Sequence, residues 1–430
     1  MFSGAVKLLD LNDYIRPGEE CVVRPAPAAK AQLLLDGAQG GKTTVSLADC
    51  LACSGCITTA EALLVEEQSL AALLATHAAF RFRCALVSAQ SLAALALAWE
   101  LSLEQAFAAV TLYFHSLGFD AVFDTQAFVQ LINVRALAEF RARGEATLLC
   151  SECPGWVCYL EKTLGAEVVA LASAQKPPQL IQAEALRGHL ARVCGAASGE
   201  VFVALVAPCF DKKLEASREE GRKGAPVINL VLSTEELRAA AAPSQLPDSA
   251  TEVLDSYELC RALLSDRPWV PFPLSRLTLR RPHLHHGSSN GYLDFLLRNC
   301  FGPEAAISAT PRRNRNFMEV RVVEGDRETL FALVYGFKNI QNLVRDVRQR
   351  KCKYAYVEVM ACPGGCAGGG GQVPGQSAES VLEKMNELAS IEDDQRLLVE
   401  ELARRSGCVP ESSHHYAIAP IPKSDTALNW

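Results

Sequence analysis

The stretch that decides the fold is Val357-Glu358-Val359-Met360-Ala361-Cys362-Pro363-Gly364-Gly365-Cys366-Ala367-Gly368-Gly369-Gly370-Gly371. The β-branched and aromatic run at 354–359 predicts a buried strand. This strand leads directly into two cysteines and a run of glycines. Thiolates at this spacing can bind one metal centre, and glycines let backbone N–H groups approach the sulfur atoms. The alternative is a flexible linker with two incidental cysteines, which the preceding strand disfavours.

Length, charge and cysteine content narrow the class of protein. At 430 residues and 49% hydrophobic, the chain can bury more than one core, so two or three domains are expected. A net charge of −7 gives no basic surface for nucleic acid. The first residues lack the basic region and apolar core of a signal peptide. Sixteen cysteines in such a chain predict reduced thiols and metal ligation in the cytoplasm rather than disulfides.

A second cysteine group lies near the N-terminus. Cys50, Cys53 and Cys56 have the C-x2-C-x2-C spacing with which a short loop wraps a cubane iron–sulfur cluster. The fourth ligand has to come from elsewhere, and the candidates are Cys21 upstream and Cys84 downstream. Zinc is the competing metal, because four thiolates also suit a tetrahedral zinc ion.

Two other motifs resemble a nucleotide-binding loop and a histidine metal site, but neighbouring residues argue against both functions. The segment 37–43 resembles a nucleotide phosphate loop, but it has three residues instead of four between its first Gly and Gly-Lys-Thr. The cysteine group also leaves no room for the helix that such a loop needs. A hairpin turn is therefore expected there. The histidines 283, 285 and 286 lie in a Pro-, Ser- and Arg-rich region, where a solvated cluster is a better interpretation than metal ligation.

Strand and helix patterns alternate from 84 to 150 at the length of βα units, which predicts a parallel α/β sheet. The helical patterns at 92–101 and 102–117 include an apolar window, 92–110. Charged residues interrupt that window, so we expect buried helices and no membrane span. Three predicted strands end just before Cys153, Cys209 and the Cys362/Cys366 pair. Open α/β sheets place their sites at strand ends, so four thiolates can converge on one site.

The three cysteine loops resemble the three signature motifs of the [FeFe]-hydrogenase large domain, in the same order along the chain. The similarity is closer to the Nar1 family, the hydrogenase-like proteins of cytosolic iron–sulfur protein assembly. The stretches that carry this similarity are Phe2-Ser3-Gly4-Ala5, Leu51-Ala52-Cys53-Ser54-Gly55-Cys56-Ile57-Thr58, Cys209-Phe210-Asp211-Lys212-Lys213-Leu214-Glu215-Ala216-Ser217-Arg218 and Tyr335-Gly336-Phe337-Lys338-Asn339-Ile340-Gln341-Asn342-Leu343.

The resemblance implies an α/β fold with two lobes, parallel and mixed sheets, and a small ferredoxin-like N-terminal segment rich in cysteine. The regions expected from it are an N-terminal iron–sulfur segment at 1–78, a first α/β lobe at 79–245, a linker and second α/β lobe at 246–375, and C-terminal helices and tail at 376–430. It also implies two [4Fe–4S] clusters. The ligands carried over by position are Cys21, Cys50, Cys53 and Cys56 for the N-terminal cluster and Cys153, Cys209, Cys362 and Cys366 for the cluster between the lobes.

Departures from the hydrogenase pattern bear on function. Hydrogenases carry a proton-delivering cysteine immediately before the first-motif ligand, where this chain has Glu152. A methionine of the second motif is replaced by Ala207, whereas Lys212 persists. The resemblance therefore implies a non-catalytic assembly factor that takes clusters from a cytosolic scaffold and passes them to a targeting complex. The alternative is a hydrogenase-type or electron-transferring oxidoreductase. The terminal Trp430, after a polar segment interrupted by prolines, is expected to dock on that complex.

Overall fold

The computed structural model describes residues 65–144, 146–217, 226–241, 291–302, 304–312 and 314–386. Several of the expected features lie outside the described residues. These are Cys21, Cys50, Cys53 and Cys56, the turn at 37–43, the histidines 283, 285 and 286, the part of the expected C-terminal helices and tail from 387 onwards, and Trp430.

Nine strands and twelve α-helices occur within the described ranges. The strands are β1 Phe82–Val87, β2 Ala121–Asp124, β3 Leu148–Cys150, β4 Val201–Ala207, β5 Leu230–Ser233, β6 Ala306–Pro311, β7 Phe317–Glu324, β8 Arg327–Tyr335 and β9 Tyr356–Met360. The helices are α1 Leu70–Thr76, α2 Ala89–Trp99, α3 Leu103–Ser116, α4 Gln126–Arg143, α5 Pro154–Thr163, α6 Ala166–Val169, α7 Pro178–Cys194, α8 Asp211–Ser217, α9 Thr234–Ala240, α10 Tyr292–Cys300, α11 Phe337–Arg348 and α12 Ala378–Met385.

The first sheet has four parallel strands in the order β2-β1-β4-β5. Every residue of β4 is buried. A parallel sheet is covered on both faces, which explains why this strand is a continuous apolar run without alternating polar residues. The predicted parallel α/β sheet is therefore confirmed. One hydrophobic core lies on each face of the sheet, since alternate residues of β1 and β4 belong to two different clusters.

The second sheet is mixed, with the order β3-β9-β8-β7-β6. Strands β3, β9 and β8 are parallel, and β8, β7 and β6 are antiparallel. The hairpin that joins β7 to β8 turns at Gly325, whose φ of +59° is easily adopted by glycine. Alternating buried and exposed residues in the last part of β7 fit a sheet with one face on the core.

Strand β3 does not lie in the sheet that its position in the sequence suggests. It falls inside the expected first lobe at 79–245, but it pairs in parallel with β9 of the second sheet. The Thr147 hydroxyl reinforces this pairing by donating to the backbone oxygen of Tyr354 at 2.8 Å. The sequence pattern indicates a buried strand but not its neighbour, so the boundary between the sheets is not a single point in the chain.

Helices α2 and α3 cover one face of the first sheet and correspond to the two helical patterns predicted at 92–101 and 102–117. They are separate because Glu100 has a left-handed φ of +56° and Ser102 begins α3 with a capping box to Gln105. The chain bends by 100° between the axes of α2 and α3. Within the described ranges no single helix has both the length and the apolarity to cross a membrane; α2 and α3 meet that test only as a bent pair.

Candidate functional site

Three strand ends meet between the two sheets. Strands β3 and β9 are parallel neighbours in the second sheet, so the loops after Cys150 and Met360 leave it side by side. Strand β4 of the first sheet delivers a third loop, which begins at Pro208. These loops carry the predicted residues Cys153, Cys209, Cys362 and Cys366.

The first loop is fixed by short hydrogen bonds and by a helix. The Ser151 hydroxyl donates to the backbone oxygen of Val359 at 2.6 Å and accepts from the backbone N–H of Cys153 at 3.0 Å. Cys153 is the N-cap of α5, and Pro154 occupies the first helical position that suits proline. Its sulfur accepts from the backbone N–H of Ala361 at 3.4 Å. Both the helix dipole and this N–H favour negative charge on the sulfur.

The loop after β9, residues 361–371, is called the glycine loop and packs against the Cys209 loop, which follows β4 of the first sheet. Gly364 has a φ of +74°, and its N–H donates to Asn316 Oδ1 at 2.7 Å. Cys366 follows in a short 3₁₀ turn, Gly365–Gly368. The N–H of Gly371 donates to the backbone oxygen of Pro208 at 2.8 Å, and a Cβ on Gly369 would overlap that same oxygen. Bare backbone therefore brings Cys366 towards Cys209.

The four thiols are largely enclosed, and those of Cys153, Cys209 and Cys366 lie close enough to influence one another's pKa. Cys153, Cys209 and Cys362 are buried, and Cys366 is partly buried. Burial raises the pKa of Cys153, and Asp211 and Cys209 raise it further. Burial also raises the pKa of Cys366, with contributions from Glu152, Cys153 and Cys209. Left as free thiols, these groups would stay protonated and unreactive.

A cationic metal centre suits such a donor set, because coordination deprotonates a thiol outright. Within the part of the chain that the structure describes, no three His, Cys, Asp or Glu side chains form a group that could hold a single metal ion. A cubane cluster does not require this, because its four thiolates bind different iron atoms. The four thiols, the adjacent glycine backbone and a buried lysine thus fit an iron–sulfur cluster.

That lysine is Lys212, on α8 directly after the Cys209 loop. Its ammonium donates to the backbone oxygen of Glu152 at 2.9 Å and to both carboxylate oxygens of Glu215 at 3.3 Å. Burial alone would lower the pKa of Lys212, but Glu215 and Glu152 outweigh it and raise the pKa above its ordinary value. Gln179 completes the arrangement by donating to Glu215 Oε2 at 2.7 Å. A fixed positive charge therefore lies beside the cysteines.

Glu152 lies against the cysteines and is almost entirely enclosed. Its Oε1 lies 3.6 Å from the sulfur of Cys366, and its Oε2 lies 3.5 Å from the hydroxyl of Tyr292. Burial raises the pKa of this carboxyl group, which Lys212 opposes. The residue identified from sequence as a departure from the hydrogenase pattern is thus part of the cysteine site.

Glu358 lies in β9, the strand before the Cys362 and Cys366 loop, and it stabilises the position of that strand. This role was not predicted from the sequence. Glu358 is completely buried in β9, where its oxygens accept from the Tyr335 hydroxyl at 2.8 Å and from the Leu293 N–H at 3.0 Å. It thereby joins β8, β9 and the start of α10. A carboxylate in an otherwise apolar strand was the available signal, because buried charge needs hydrogen-bond partners.

Cys84, the alternative fourth ligand for the N-terminal group, does not suit that role. It lies in the middle of β1, 1% exposed, within the core between sheet and helices. Burial raises the pKa of its thiol far above the ordinary value. A thiol enclosed in a central strand cannot reach a loop cluster without opening the sheet.

Comparisons with known proteins agree with this geometry. The family described as "Iron only hydrogenase large subunit, C-terminal domain" matches residues 82–370. Protein NAR1 of Arabidopsis thaliana is 34% identical, with 100% of this chain and 99% of that protein aligned. A Xenopus tropicalis protein named cytosolic Fe-S cluster assembly factor narfl is 34% identical, with 90% of this chain and 88% of that protein aligned.

Solved structures show the same architecture. An apo form of the [FeFe]-hydrogenase HydA1 from Chlamydomonas reinhardtii superimposes with a TM-score of 0.60 at 19% identity, covering 79% of this chain and 95% of that one. Another [FeFe]-hydrogenase structure gives a TM-score of 0.62 at 19% identity, covering 85% and 100%. At this level of identity the likeness demonstrates the fold alone, which is the predicted hydrogenase-like fold.

Proposed function

Because the chain belongs to the Nar1 family, within the iron-only hydrogenase large-subunit superfamily, we propose that it is a component of cytosolic iron–sulfur protein assembly. The relatives' names support both this role and a cytosolic location, since they are called cytosolic Fe-S assembly factors or components. In this role the protein takes [4Fe–4S] clusters from a scaffold and mediates their transfer to a targeting complex and apo-proteins.

The observation that carries the proposal is the convergence of three strand-end loops that bear cysteines. Cys153, Cys209, Cys362 and Cys366 would hold one [4Fe–4S] cluster between the two sheets. Their burial excludes water and chelating thiols, so this cluster is expected to be held tightly. When bound, the cluster supplies one-electron redox chemistry or structural support. Lys212 offsets part of its negative charge, and the glycine loop supplies close backbone N–H groups.

The second cluster would be held by Cys21, Cys50, Cys53 and Cys56. Its support is the C-x2-C-x2-C spacing and the enclosed position of Cys84. A short loop with a remote fourth ligand is expected to release its cluster more easily. Transfer requires thiolate exchange with an acceptor, which only an accessible cluster permits. We therefore assign the transferable cargo to the N-terminal cysteines.

The same residues argue for a non-catalytic protein. Hydrogenases deliver protons through a cysteine at the position of Glu152, and their diiron pocket has a methionine at the position of Ala207. In this chain the carboxylate contacts Cys366 and the small Ala207 is buried at the end of β4. A pocket with both changes is not shaped for the diiron chemistry. A hydrogenase or electron-transferring oxidoreductase remains the competing function.

Anaerobic purification followed by electron paramagnetic resonance and an iron and sulfide count tests the proposal. Two cubane clusters per chain, about eight irons in all, are expected. Zinc in both sites after anaerobic reconstitution with iron and sulfide would overturn the proposal. A hydrogen-evolution assay with a viologen mediator separates the assembly factor from the competing enzyme.

A further inference from the structure

One stretch that carries the family similarity has no thiol of its own. This is Tyr335-Gly336-Phe337-Lys338-Asn339, which we call the corner because it joins the end of β8 to the start of α11. Strand β8 is the parallel neighbour of β9, so the corner lies beside the end of β9, where the glycine loop begins. The corner is itself held in place. The Tyr335 hydroxyl donates to Glu358, and the ring of Phe337 meets that of Tyr159 on α5 edge to face, with centroids 5.4 Å apart.

The backbone of the corner reaches the glycine loop. The N–H of Gly336 donates to the backbone oxygen of Met360, the last residue of β9, at 2.9 Å. Gly336 has a φ of +82°, and a Cβ placed on it would lie 3.6 Å from Cγ of Pro363. Pro363 stands between the two cysteines of the glycine loop. The corner therefore packs against the segment that carries Cys362 and Cys366.

Three asparagines add a second connection to the glycine loop. Asn339 donates from Nδ2 to Asn314 Oδ1 at 3.1 Å, and the same oxygen accepts from the backbone N–H of Asn316 at 2.9 Å. The Oδ1 of Asn316 in turn accepts from the N–H of Gly364 at 2.7 Å. We call Asn314, Asn316 and Asn339 the asparagine bridge. It connects the first turn of α11 to the residue midway between the two cysteines of the glycine loop.

Gly364 is the residue of the glycine loop that most needs an external contact. Gly364 and Gly365 have left-handed φ values of +74° and +67°. Glycine loses more conformational freedom on folding than any other residue, so ordering two in succession costs free energy that hydrogen bonds must offset. The N–H of Gly365 donates to the backbone oxygen of Cys362 at 3.0 Å, inside the loop. The N–H of Gly364 instead donates to Asn316, which ties the loop to the turn before β7.

The four cysteines of the site differ in how they are anchored. Cys153 is the N-cap of α5, and Cys209 lies two residues before α8. Cys362 and Cys366 lie in the glycine loop, where the regular structure is a 3₁₀ turn of four residues. Cys366 is partly buried, whereas the other three are buried. Cys362 and Cys366 therefore depend more than the others on contacts from outside their own loop.

We propose that Asn316 is a positioning residue for Cys362 and Cys366, and that Asn339 of the corner acts through it. The inference rests on the proposed function, because placing these thiols matters for a cluster bound between the two sheets. With the asparagine bridge intact, Gly364 is held and both thiols stay in the site. When the hydrogen bond to Gly364 is lost, the glycine loop opens more often and carries both thiols away from the site. The asparagine bridge thereby sets how long the chain retains that cluster.

Alkylation of the individual cysteines tests the positioning in the full chain without iron. The chain is treated with iodoacetamide, and mass spectrometry follows the modification of each cysteine with time. Asn316→Leu keeps the approximate size of the side chain and removes the acceptor for the Gly364 N–H. It is expected to modify Cys362 and Cys366 about five- to tenfold faster, because loop opening no longer breaks that hydrogen bond.

Cys84 is the internal reference for this measurement. It lies in the central strand β1 and is 1% exposed, so its modification reports opening of the fold as a whole. A positioning role predicts an unchanged rate at Cys84. Equal acceleration at Cys84, Cys362 and Cys366 would show a general loss of stability and would overturn the positioning role.

Two further variants isolate the hydrogen bond. Asn316→Asp keeps an acceptor oxygen for Gly364 and is expected to restore a rate close to that of the wild-type chain. Asn342→Leu is the matched control, because it removes an asparagine whose amide donates to the backbone oxygen of Lys338 within α11. It is expected to leave the rates at the glycine loop unchanged. An Asn316→Leu rate equal to the Asn342→Leu rate, or no recovery in Asn316→Asp, overturns the proposal.

Asn314→Ala decides if Asn316→Leu does not fold, as judged by thermal unfolding. Asn314 is exposed, so its truncation leaves the core intact, but it removes the oxygen that joins Asn339 to Asn316. About a threefold acceleration is expected at the two cysteines of the glycine loop. An unchanged rate overturns the proposal.

Repeating the alkylation after anaerobic reconstitution with iron and sulfide separates this inference from the proposed function. A bound cluster is expected to protect the four cysteines of the site, and in the presence of a chelator Asn316→Leu is expected to lose this protection about five- to tenfold faster than the wild-type chain. If reconstitution protects none of the four, the proposed function is wrong, whereas the rates without iron still decide whether Asn316 positions the loop. If both chains are protected and lose protection at the same rate, the proposed function stands and the positioning role is wrong.

Discussion

The Glu152 carboxylate contacts the Cys366 thiol: Oε1 lies 3.6 Å from Sγ, although 214 positions separate the two residues in sequence. The contact exists because β3 and β9 are adjacent parallel strands whose loops leave the sheet together. An acidic side chain thus occupies space beside the cysteines where hydrogenases carry a thiol. This relationship leads to the first prediction.

No hydrogen evolution or uptake above background is expected from the wild-type chain. Glu152→Cys alone is also expected to give none, because Ala207 still replaces the methionine of the diiron pocket. The measurement is an anaerobic assay with a strong reductant and a viologen mediator, after treatment with the enzymes that insert a diiron centre. Robust hydrogen production by the wild-type chain would contradict the assignment as a non-catalytic assembly factor.

Gly369→Ala is expected to separate the glycine loop from the Cys209 loop. The φ of Gly369 is −64°, which any residue adopts, so glycine is required here by crowding, mainly from the Pro208 backbone oxygen and to a smaller degree from that of Cys366. Crowding of this kind costs about 1–3 kcal/mol in the free energy of unfolding. Urea unfolding measures that loss of stability. Iron analysis is expected to show that the cysteines between the two sheets retain less iron.

Gly188→Ala is the control for that substitution. Gly188 lies inside α7, and no atom is within 4 Å of a Cβ added there. Replacing a glycine in a helix by alanine is expected to stabilise the chain by about 0.5–1 kcal/mol. Equal effects of the two substitutions on stability and iron would contradict the role given to the contact between Gly369 and Pro208.

Glu358→Leu is expected to destabilise the second sheet at its junction with α10. It leaves the Tyr335 hydroxyl and the Leu293 N–H without their acceptor, at a cost of about 1–3 kcal/mol for each buried donor. Glu358→Gln keeps one acceptor oxygen and is expected to cost less. Glu328→Gln is the control, since its ion pair with Arg321 is exposed and worth at most about 1 kcal/mol. Similar midpoints of urea unfolding for Glu358→Leu and Glu328→Gln would show that Glu358 does not join these elements.

The sequence indicates the cysteine loops well and the sheet neighbours poorly. Cys153, Cys209 and Cys366 could be predicted to lie in one site because each follows the end of a strand, where α/β proteins place their sites. That the strands before them belong to two sheets could not be predicted. The sheet that contains β3 could not be predicted, since its three apolar residues indicate a buried strand but not which strand pairs with it. The hydrogen bonds of Glu358 with Tyr335 and Leu293, and of Gln68 with Lys213 and Val231, join residues that only the folded chain brings together.

Deleting Trp430 is expected to leave the iron content and the thermal stability unchanged while abolishing capture of the targeting complex. The indole of Trp430 offers a partner a large apolar surface and an N–H donor. Trp430→Phe, which keeps an aromatic ring but loses the indole N–H, is expected to retain part of the binding in the same pull-down. A lower melting temperature with unchanged binding would indicate instead that Trp430 packs on its own domain.

The most direct test of the central claim is the iron content of two single-cysteine variants. If two independent sets of four cysteines each hold a [4Fe–4S] cluster, Cys53→Ala and Cys362→Ala are each expected to keep about half of the iron and sulfide of the wild-type chain. Their electron paramagnetic resonance spectra are expected to add up to the wild-type spectrum. Cys194→Ala, at an exposed cysteine outside both sets, is the control and is expected to keep all of its iron. Full iron content in either ligand variant, or zinc in place of iron after anaerobic reconstitution, would contradict the account.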